Sequence, residues 1–254
     1  MILRTIERGI HLIGLLSEHP KGLALVDISR RMGTPKSTVH HILSTYLEYD
    51  YVVQDEETKK YSLGPKVFEI SSKMLQSFDI REVARKHLIQ LNEKSGEIAE
   101  LYILRKGKLL CIDKVGAPQA AGLTISSFIG WTTEPHPSAA GKALLSGLSN
   151  KEILDIYPGR TLKSYAKNTI TDFDELSKEL DVARKQGYAI NDEEYYEGVR
   201  CLAAPIRAGN KIVASISITG SIFSMTMKKI NQSLIPLVMT TAKKISEEMI
   251  SFHL

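Results

Sequence analysis

Apolar residues recur at helical spacing from the start of the chain, at Ile2, Ile6, Ile10, Ile13 and Leu16, until Pro20-Lys21-Gly22 stops the pattern. A second, short helix fits Val26 to Met32, where Ile28 and Met32 lie four residues apart and Gly33 lets the chain turn. The next helix is expected to start at Thr34-Pro35. A Thr hydroxyl can cap free N–H groups there, and Pro at the first helical position gives up no hydrogen bond. Along this helix Val39, Ile42, Leu43, Tyr46 and Leu47 define a buried side. Lys36, Ser37, Thr38, His40, His41 and Ser44 lie along or beside the other side, and such a row needs a partner outside the core.

Alternation then replaces the helical period. Tyr51 to Gln54 and Lys60 to Leu63 flank Asp55 to Lys59 and read as a hairpin. Gly64-Pro65 opens another amphipathic stretch with Val67, Phe68, Ile70, Ser71, Met74 and Leu75 on one side, read as a linker helix with dimer contacts. The pattern resets around Ser77 to Asp79. The expected organisation is therefore a domain over 1–64, a linker helix over 65–78 and a second domain over 79–254.

From Asp79 a long helix leads to strands near Ala99 to Leu104 and Leu109 to Val115, which turn at Arg105 to Lys108. His136 to Leu145 reads as a loop feeding a helix whose first turn holds small residues. Thr171 to Asp174 opens another helix, with acids where its dipole favours them, and Gly187 ends it. Strands follow near Gly198 to Ile206 and Lys211 to Ile218. The last helix carries Ile230, Leu234, Ile245 and Met249 on one face, and Pro236 inside it predicts a kink or a broken start. The fold class is α+β.

Two helices joined by a tight Gly-containing turn, the second opening on small polar residues, form a helix-turn-helix, and the hairpin behind it is a wing. Lys and short hydroxyls near a helix start suit phosphates, whereas His and Ser can reach base edges in a major groove. Ser37, Thr38, His40, His41 and Ser44 are thus candidates for contact with double-stranded operator DNA, with Arg30, Arg31, Lys36 and Lys59 on phosphates. A small helical domain used for protein docking is the competing reading.

Charge neither demands nor forbids an anionic partner. The 254-residue chain has a formal net charge of +4, and residues 1–75 hold 10 Lys+Arg against 9 Asp+Glu. Any basic surface must be local. With only two cysteines, Cys111 and Cys201, no charged-then-apolar leader and no apolar run near the ~18 residues of a membrane span, a cytoplasmic protein without membrane contact is expected. Both thiols read most simply as small buried hydrophobes. A catalytic or protein-regulating sensor would use Cys201 with His136 as nucleophile and base, or both thiols and His136 around a metal. No CxxC, HExxH, GxSxG or phosphate loop supports either, so no enzyme, cofactor or metal is expected.

Pro35 to His40, with Tyr51-Val52-Val53 and Tyr61-Ser62-Leu63-Gly64, resembles the DNA-binding half of the IclR family of bacterial transcriptional regulators. Asp113-Lys114-Val115, Ser138 to Ala143, and Asn191 to Glu194 through Gly198 to Pro205 resemble its ligand-binding half. The resemblance implies a winged helix-turn-helix joined by a helix to a GAF-like α/β effector-binding domain, acting as a homodimer or a dimer of dimers, more often a repressor of a catabolic operon. It also implies a small carboxylic or sugar-acid effector held at Ala139, Ala140, Asn191, Cys201, Ser217 and Thr219. Asn191 stands where some relatives carry Asp, and Thr219 where they carry Ser. An amide removes a charge and adds two donors, so an acidic or polyhydroxylated effector is repelled less, and Asp192 could restore the acid. Asn191 to Arg200 and Thr241 to Ser246 resemble the branch that senses sugar acids of pectin and uronate breakdown.

That pocket is chemically coherent on its residues alone. A helix start near Ala139 to Gly141 favours a carboxylate, and Ser217 and Thr219, two apart on a strand, can donate to one ligand. From spacing alone, two hydroxyls satisfied within a sheet is the favoured reading, and the family resemblance reverses it.

Overall fold

Leu12 and Leu16 of α1 (Arg4–Ser17), Ile28 of α2 (Leu25–Met32) and Val39, Ile42 and Leu43 of α3 (Lys36–Glu48) close on one another to form the first core. The computed structural model describes residues 2–76, 79–116 and 127–252. Strands β1 (Val52–Gln54) and β2 (Tyr61–Leu63) pair antiparallel, and Leu23 bridges to Tyr61 at the wing's other edge. Gly33 caps α2 at φ 58°, a left-handed conformation that costs a side-chain-bearing residue about 1–2 kcal/mol.

Of the apolar positions at helical spacing, Ile2, Ile6 and Ile10 are 75%, 58% and 64% accessible, while Gly9, Leu12 and Leu16 of α1 face the core. Periodicity finds apolar faces but cannot say which of two on one helix packs within the chain. One detail of this unit differs from the pattern-based expectation: Thr34 does not cap α3. Its hydroxyl donates to the Met32 carbonyl while Ser29 donates to Thr34, and Pro35 occupies the N-cap, so Lys36 is the first helical residue.

Contacts divide the chain into Met1–Ser77 and Phe78–Leu254. Helix α4 (Pro65–Gln76) belongs to the first unit rather than standing apart, and Phe68 and Ile70 on its apolar side are exposed. The Leu75 side chain and the expected boundary at Ser77 lie outside the described residues.

The second unit is built on an antiparallel sheet of order β5-β4-β3-β8-β7-β6. Its strands are β3 (Ile98–Arg105), β4 (Lys108–Val115), β5 (Thr132–Thr133), β6 (Ala189–Asp192), β7 (Val199–Ala208) and β8 (Lys211–Ser221). Side chains two apart share a face, and this decides the architecture. Ala99 and Leu101, Leu202 and Ala204, and Ile216 and Ile218 point to one side, where α5 (Asp79–Ser95) and α10 (Ile235–Phe252) cover them. Tyr102, Cys201 and Ala203 point to the other, under α6 (Ala139–Leu145). Helices α7 (Asn150–Ile156) and α8 (Phe173–Gln186) extend that second layer around Leu145, Leu176 and Leu180.

A short turn α9 (Met227–Lys229) runs through π-helical Ile230–Leu234 into α10, whose second residue is Pro236. The broken start expected from that proline is present, because proline supplies no N–H to the preceding turn. Strands β5 and β6 and helix α7 are too short to leave a period in the sequence.

Candidate nucleic-acid interface and effector pocket

At 100° per residue, Lys36, His40, Ser44, Ser37 and His41 occupy an arc of about 140° on α3, and all five are exposed. Thr38 lies at the arc's edge and is half-buried. The hydroxyls of Ser44 and Thr45 donate to the His40 and His41 carbonyls at 2.9 and 3.1 Å. With the proton committed, each offers lone pairs, which suits the exposed amino groups of cytosine or adenine in a major groove. Arg30 and Arg31 stand exposed in the last turn of α2, Arg30 with Asp27 at 3.6 Å. Lys59 is exposed at the hairpin with φ 53°, and Gln54 donates to its carbonyl. The acids Asp55, Glu56 and Glu57 share that tip with Lys59 and Lys60, so its charge is mixed.

The pocket lies on the α6 side of the sheet, a partly open space of about 40 Å³. Its floor is the polar phase of β8. Ser215 donates to the Ala140 carbonyl at 3.0 Å, Ser217 comes next, and Thr219 donates to Glu100 Oε2 at 2.8 Å. Ser217 is 2% exposed, and among the described residues its hydroxyl has no hydrogen-bond partner. Glu100 sits directly across from Ser217 on β3, also 2% exposed, and its other oxygen accepts from Ser127 with Lys114 Nζ 3.9 Å away. Trp131 and Tyr195 meet edge to face at 5.6 Å and form an aromatic wall.

The expected effector residues separate on this geometry. Ala140, Asn191, Cys201, Ser217 and Thr219 line the pocket. Ala139 packs into the core beside it instead. Asp192 does not restore an acid, because strand alternation turns it outward to Arg200 at 2.7 Å. Asn191 works as a clamp, donating to the Pro137 carbonyl at 2.6 Å and accepting from Glu194 N at 2.9 Å. Ser138 caps α6 by accepting from Gly141 N, and a Cβ on Gly141 would lie 2.0 Å from the Pro135 carbonyl, so that tight entry admits only glycine.

Lys142 of the same helix is 1% exposed and donates to Glu194 at 2.6 Å, with Glu179 at 3.4 Å. Burial outweighs that lysine and raises the Glu194 pKa. The pair anchors the turn that carries Tyr195 and Tyr196 to the pocket.

The nucleophile and base of the enzymatic alternative do not meet. Burial pushes the Cys201 thiol up to about 12, so it stays protonated, and its sulfur faces Thr219 at 3.4 Å. His136 is fully buried, its Nε2 2.9 Å from the Lys163 carbonyl, and desolvation lowers its pKa. It borders a separate polar cleft beside Lys108 and Tyr157. Cys111 is likewise pushed up to about 12 by burial. No group of three metal-ligating side chains occurs among the described residues, and no described helix is long and apolar enough to cross a membrane.

Sequence reasoning missed Glu100, Ser127, Trp131 and the Tyr195-Tyr196 pair. Only Glu100 left a signal, a charge in the apolar run Ile98 to Leu104, where an outward-facing position would read the same.

Known proteins share this arrangement. The profile described as "Bacterial transcriptional regulator IclR C-terminal" matches residues 72–247 and that of the "IclR helix-turn-helix domain" matches 5–56. The transcriptional regulator XynR of Escherichia coli is 32% identical over 219 residues, covering 86% of each chain. The transcriptional repressor IclR of the same organism is 30% identical over 232 residues, 90% of this chain and 84% of that one. A putative transcriptional regulator from Rhodococcus superposes with TM-score 0.86 at 26% identity, covering 99% and 100% of the two chains. A chain with this helix-turn-helix, this sheet and pocket, and full-length similarity to these proteins belongs to the IclR family of transcriptional regulators.

Proposed function

We propose that the protein is a cytoplasmic, homo-oligomeric repressor of a catabolic operon, whose affinity for double-stranded operator DNA changes when a small carboxylic or sugar acid occupies the pocket over β8. The observation that carries this reading is the Ser217 hydroxyl, which lines the pocket and has no hydrogen-bond partner among the described residues. A ligand oxygen there would accept its proton. The repressor sense draws on the name of the Escherichia coli relative, and the oligomer on the exposed apolar residues Ile2 and Leu3 before α1 and Ile6 and Ile10 on it.

A ligand shifts DNA affinity only through a difference in its own affinity for the DNA-competent and DNA-incompetent arrangements. Helix α4 joins the two units in sequence and is where we place the coupling. Crosslinking two copies through α4 should abolish the ligand response; an intact response removes that route.

The test uses the full chain. Duplexes selected from a random library should bind specifically at physiological salt, and thermal unfolding against pyruvate, glyoxylate, keto-deoxy sugar acids and aromatic acids should show one class of hit. An acid at 100 times its dissociation constant adds about 2.7 kcal/mol, or several degrees at about 2–4 °C per kcal/mol. The hit should release DNA and vanish in Ser217→Ala. Absence of specific duplex binding would instead favour a sensor that regulates a protein partner.

A further inference from the structure

A cleft of about 450 Å³ lies beside His136, roomier than the space of about 40 Å³ over β8 and within the roughly 300–1,000 Å³ of small-molecule sites. Three segments build it: the turn between β3 and β4, the stretch around Glu134 and His136, and the end of α7 with the loop that follows to Lys163. Its walls are held in place. Gly107, at φ 75°, lets Ile156 close on the turn, where an added Cβ would approach to 3.3 Å. The Tyr157 hydroxyl accepts from His136 N at 3.1 Å, and His136 Nε2 lies 2.9 Å from the Lys163 carbonyl.

The charges around this cleft do not close on one another. Lys108 is paired with Glu134. Lys106, Lys163 and Asp155 have no ion-pair partner among the described residues, and Lys163 Nζ instead lies 4.8 Å over the ring of Tyr165. Two unpaired ammonium groups suit a dianion, and lysine binds phosphate as a point charge, without the planar fork that a guanidinium offers a carboxylate. The unpaired Asp155 carboxylate can only accept, so it calls for a ligand that also carries hydroxyls.

A row of rings runs from this cleft to the other pocket. Tyr165 stacks on Tyr195 at 4.6 Å and 23°, and Tyr195 meets Trp131 edge to face at 5.6 Å. Tyr195 and Trp131 both line the space over β8. An exposed ammonium gains less from a ring than from a charge-assisted hydrogen bond to phosphate, so an anion in the cleft takes Lys163 from Tyr165.

We propose that this cleft is a second ligand site for a small phosphorylated polyol, and that the phosphate, by drawing Lys163 off Tyr165, alters the aromatic wall of the pocket over β8. The site stands whether or not an acid binds over β8.

The test titrates the full-length protein with glucose phosphorylated at its primary hydroxyl, glycerol phosphate and inorganic phosphate, against glucose, glycerol and potassium chloride at matched ionic strength. Calorimetry reads binding, and the emission of Trp131, the chain's single tryptophan, reports on the wall. At least one phosphate ester should bind more tightly than inorganic phosphate and change the Trp131 emission, whereas glucose, glycerol and chloride should do neither. Lys106→Gln and Lys163→Gln, both at exposed positions, should each weaken binding about ten- to a hundredfold. Lys151→Gln, an exposed charge on α7 outside the cleft, should leave it unchanged. Tyr165→Leu should keep the binding and lose the emission change.

No binding above the chloride control, affinity undiminished in both cleft variants, or a loss in Lys151→Gln as large as theirs overturns the site. Inorganic phosphate binding as tightly as either ester overturns the polyol assignment, and heat of binding without any change at Trp131 overturns the link to the wall.

Discussion

Lys36 opens α3 and Lys142 stands in the last turn of the short helix α6, and the two regions use them in opposite ways. Lys36 is exposed on α3 with its charge in solvent. Lys142 is 1% exposed on α6 and has its charge met by Glu194 at 2.6 Å. An outward surface such as α3 stores its chemistry where solvent stabilises it until DNA arrives. A buried pocket must satisfy every charge internally, and the machinery that does so is structural before it is functional. Substitutions should therefore act on stability in one region and on recognition in the other.

The largest effect is expected at Lys142. Lys142→Ala leaves Glu194 buried without its cation, and urea unfolding should show a loss of about 3–5 kcal/mol. A loss below about 1 kcal/mol would mean the turn carrying Tyr195 and Tyr196 is held by other bonds. Next comes Leu43, 1% exposed on the inner side of α3. Leu43→Ala should cost about 2–5 kcal/mol, whereas Ser44→Ala, one residue on, should stay within about 0.5 kcal/mol and change operator preference instead. Comparable losses at the two positions would show that α3 has no free face.

A smaller effect is expected from His136. Burial holds its pKa below the ordinary value of about 6.5, so the unfolded chain takes up the proton first. Its contribution is complete above that pH and declines as pH falls through about 6.5 towards the folded value, at no more than about 1.4 kcal/mol per pH unit. Denaturation profiles of the wild type and His136→Gln should converge in slope above pH 7 and separate below it. The subtlest readout is Lys36→Ala: unchanged thermal stability, weaker binding to every duplex, and a salt dependence flatter by about 0.9 in log–log slope. An unchanged slope removes Lys36 from the phosphate contacts.

These contrasts also explain what could be read from residues in order. The polar arc of α3 falls within nine consecutive positions, and a helix of known pitch places each of them without reference to the rest of the chain. Thr34 was misplaced by one turn chemistry, because its buried hydroxyl found the Met32 carbonyl before the α3 amides. Helical spacing did not say which side of α1 packs; Gly9 marks it, its missing Cβ letting Tyr46 approach. In the pocket, Ser217 and Thr219 could be paired by strand alternation. Their different states, one hydroxyl free and the other committed to Glu100, depend on a strand more than a hundred positions earlier.

The sequence by itself determined the periods: which of the longer segments are helix or strand, where Gly33 and Pro236 interrupt them, and that one side of α3 is too polar to bury. Backbone geometry and local hydrogen bonding act over a few residues, so these features need nothing distant. Only the tertiary structure decided which apolar stripe of α1 meets the core, that Asp192 turns away while Asn191 clamps a loop, and that Glu100 lies across from Ser217. Strand register and burial set those outcomes, because a charge or a hydroxyl acquires its chemistry from the partners and the dielectric that folding brings to it.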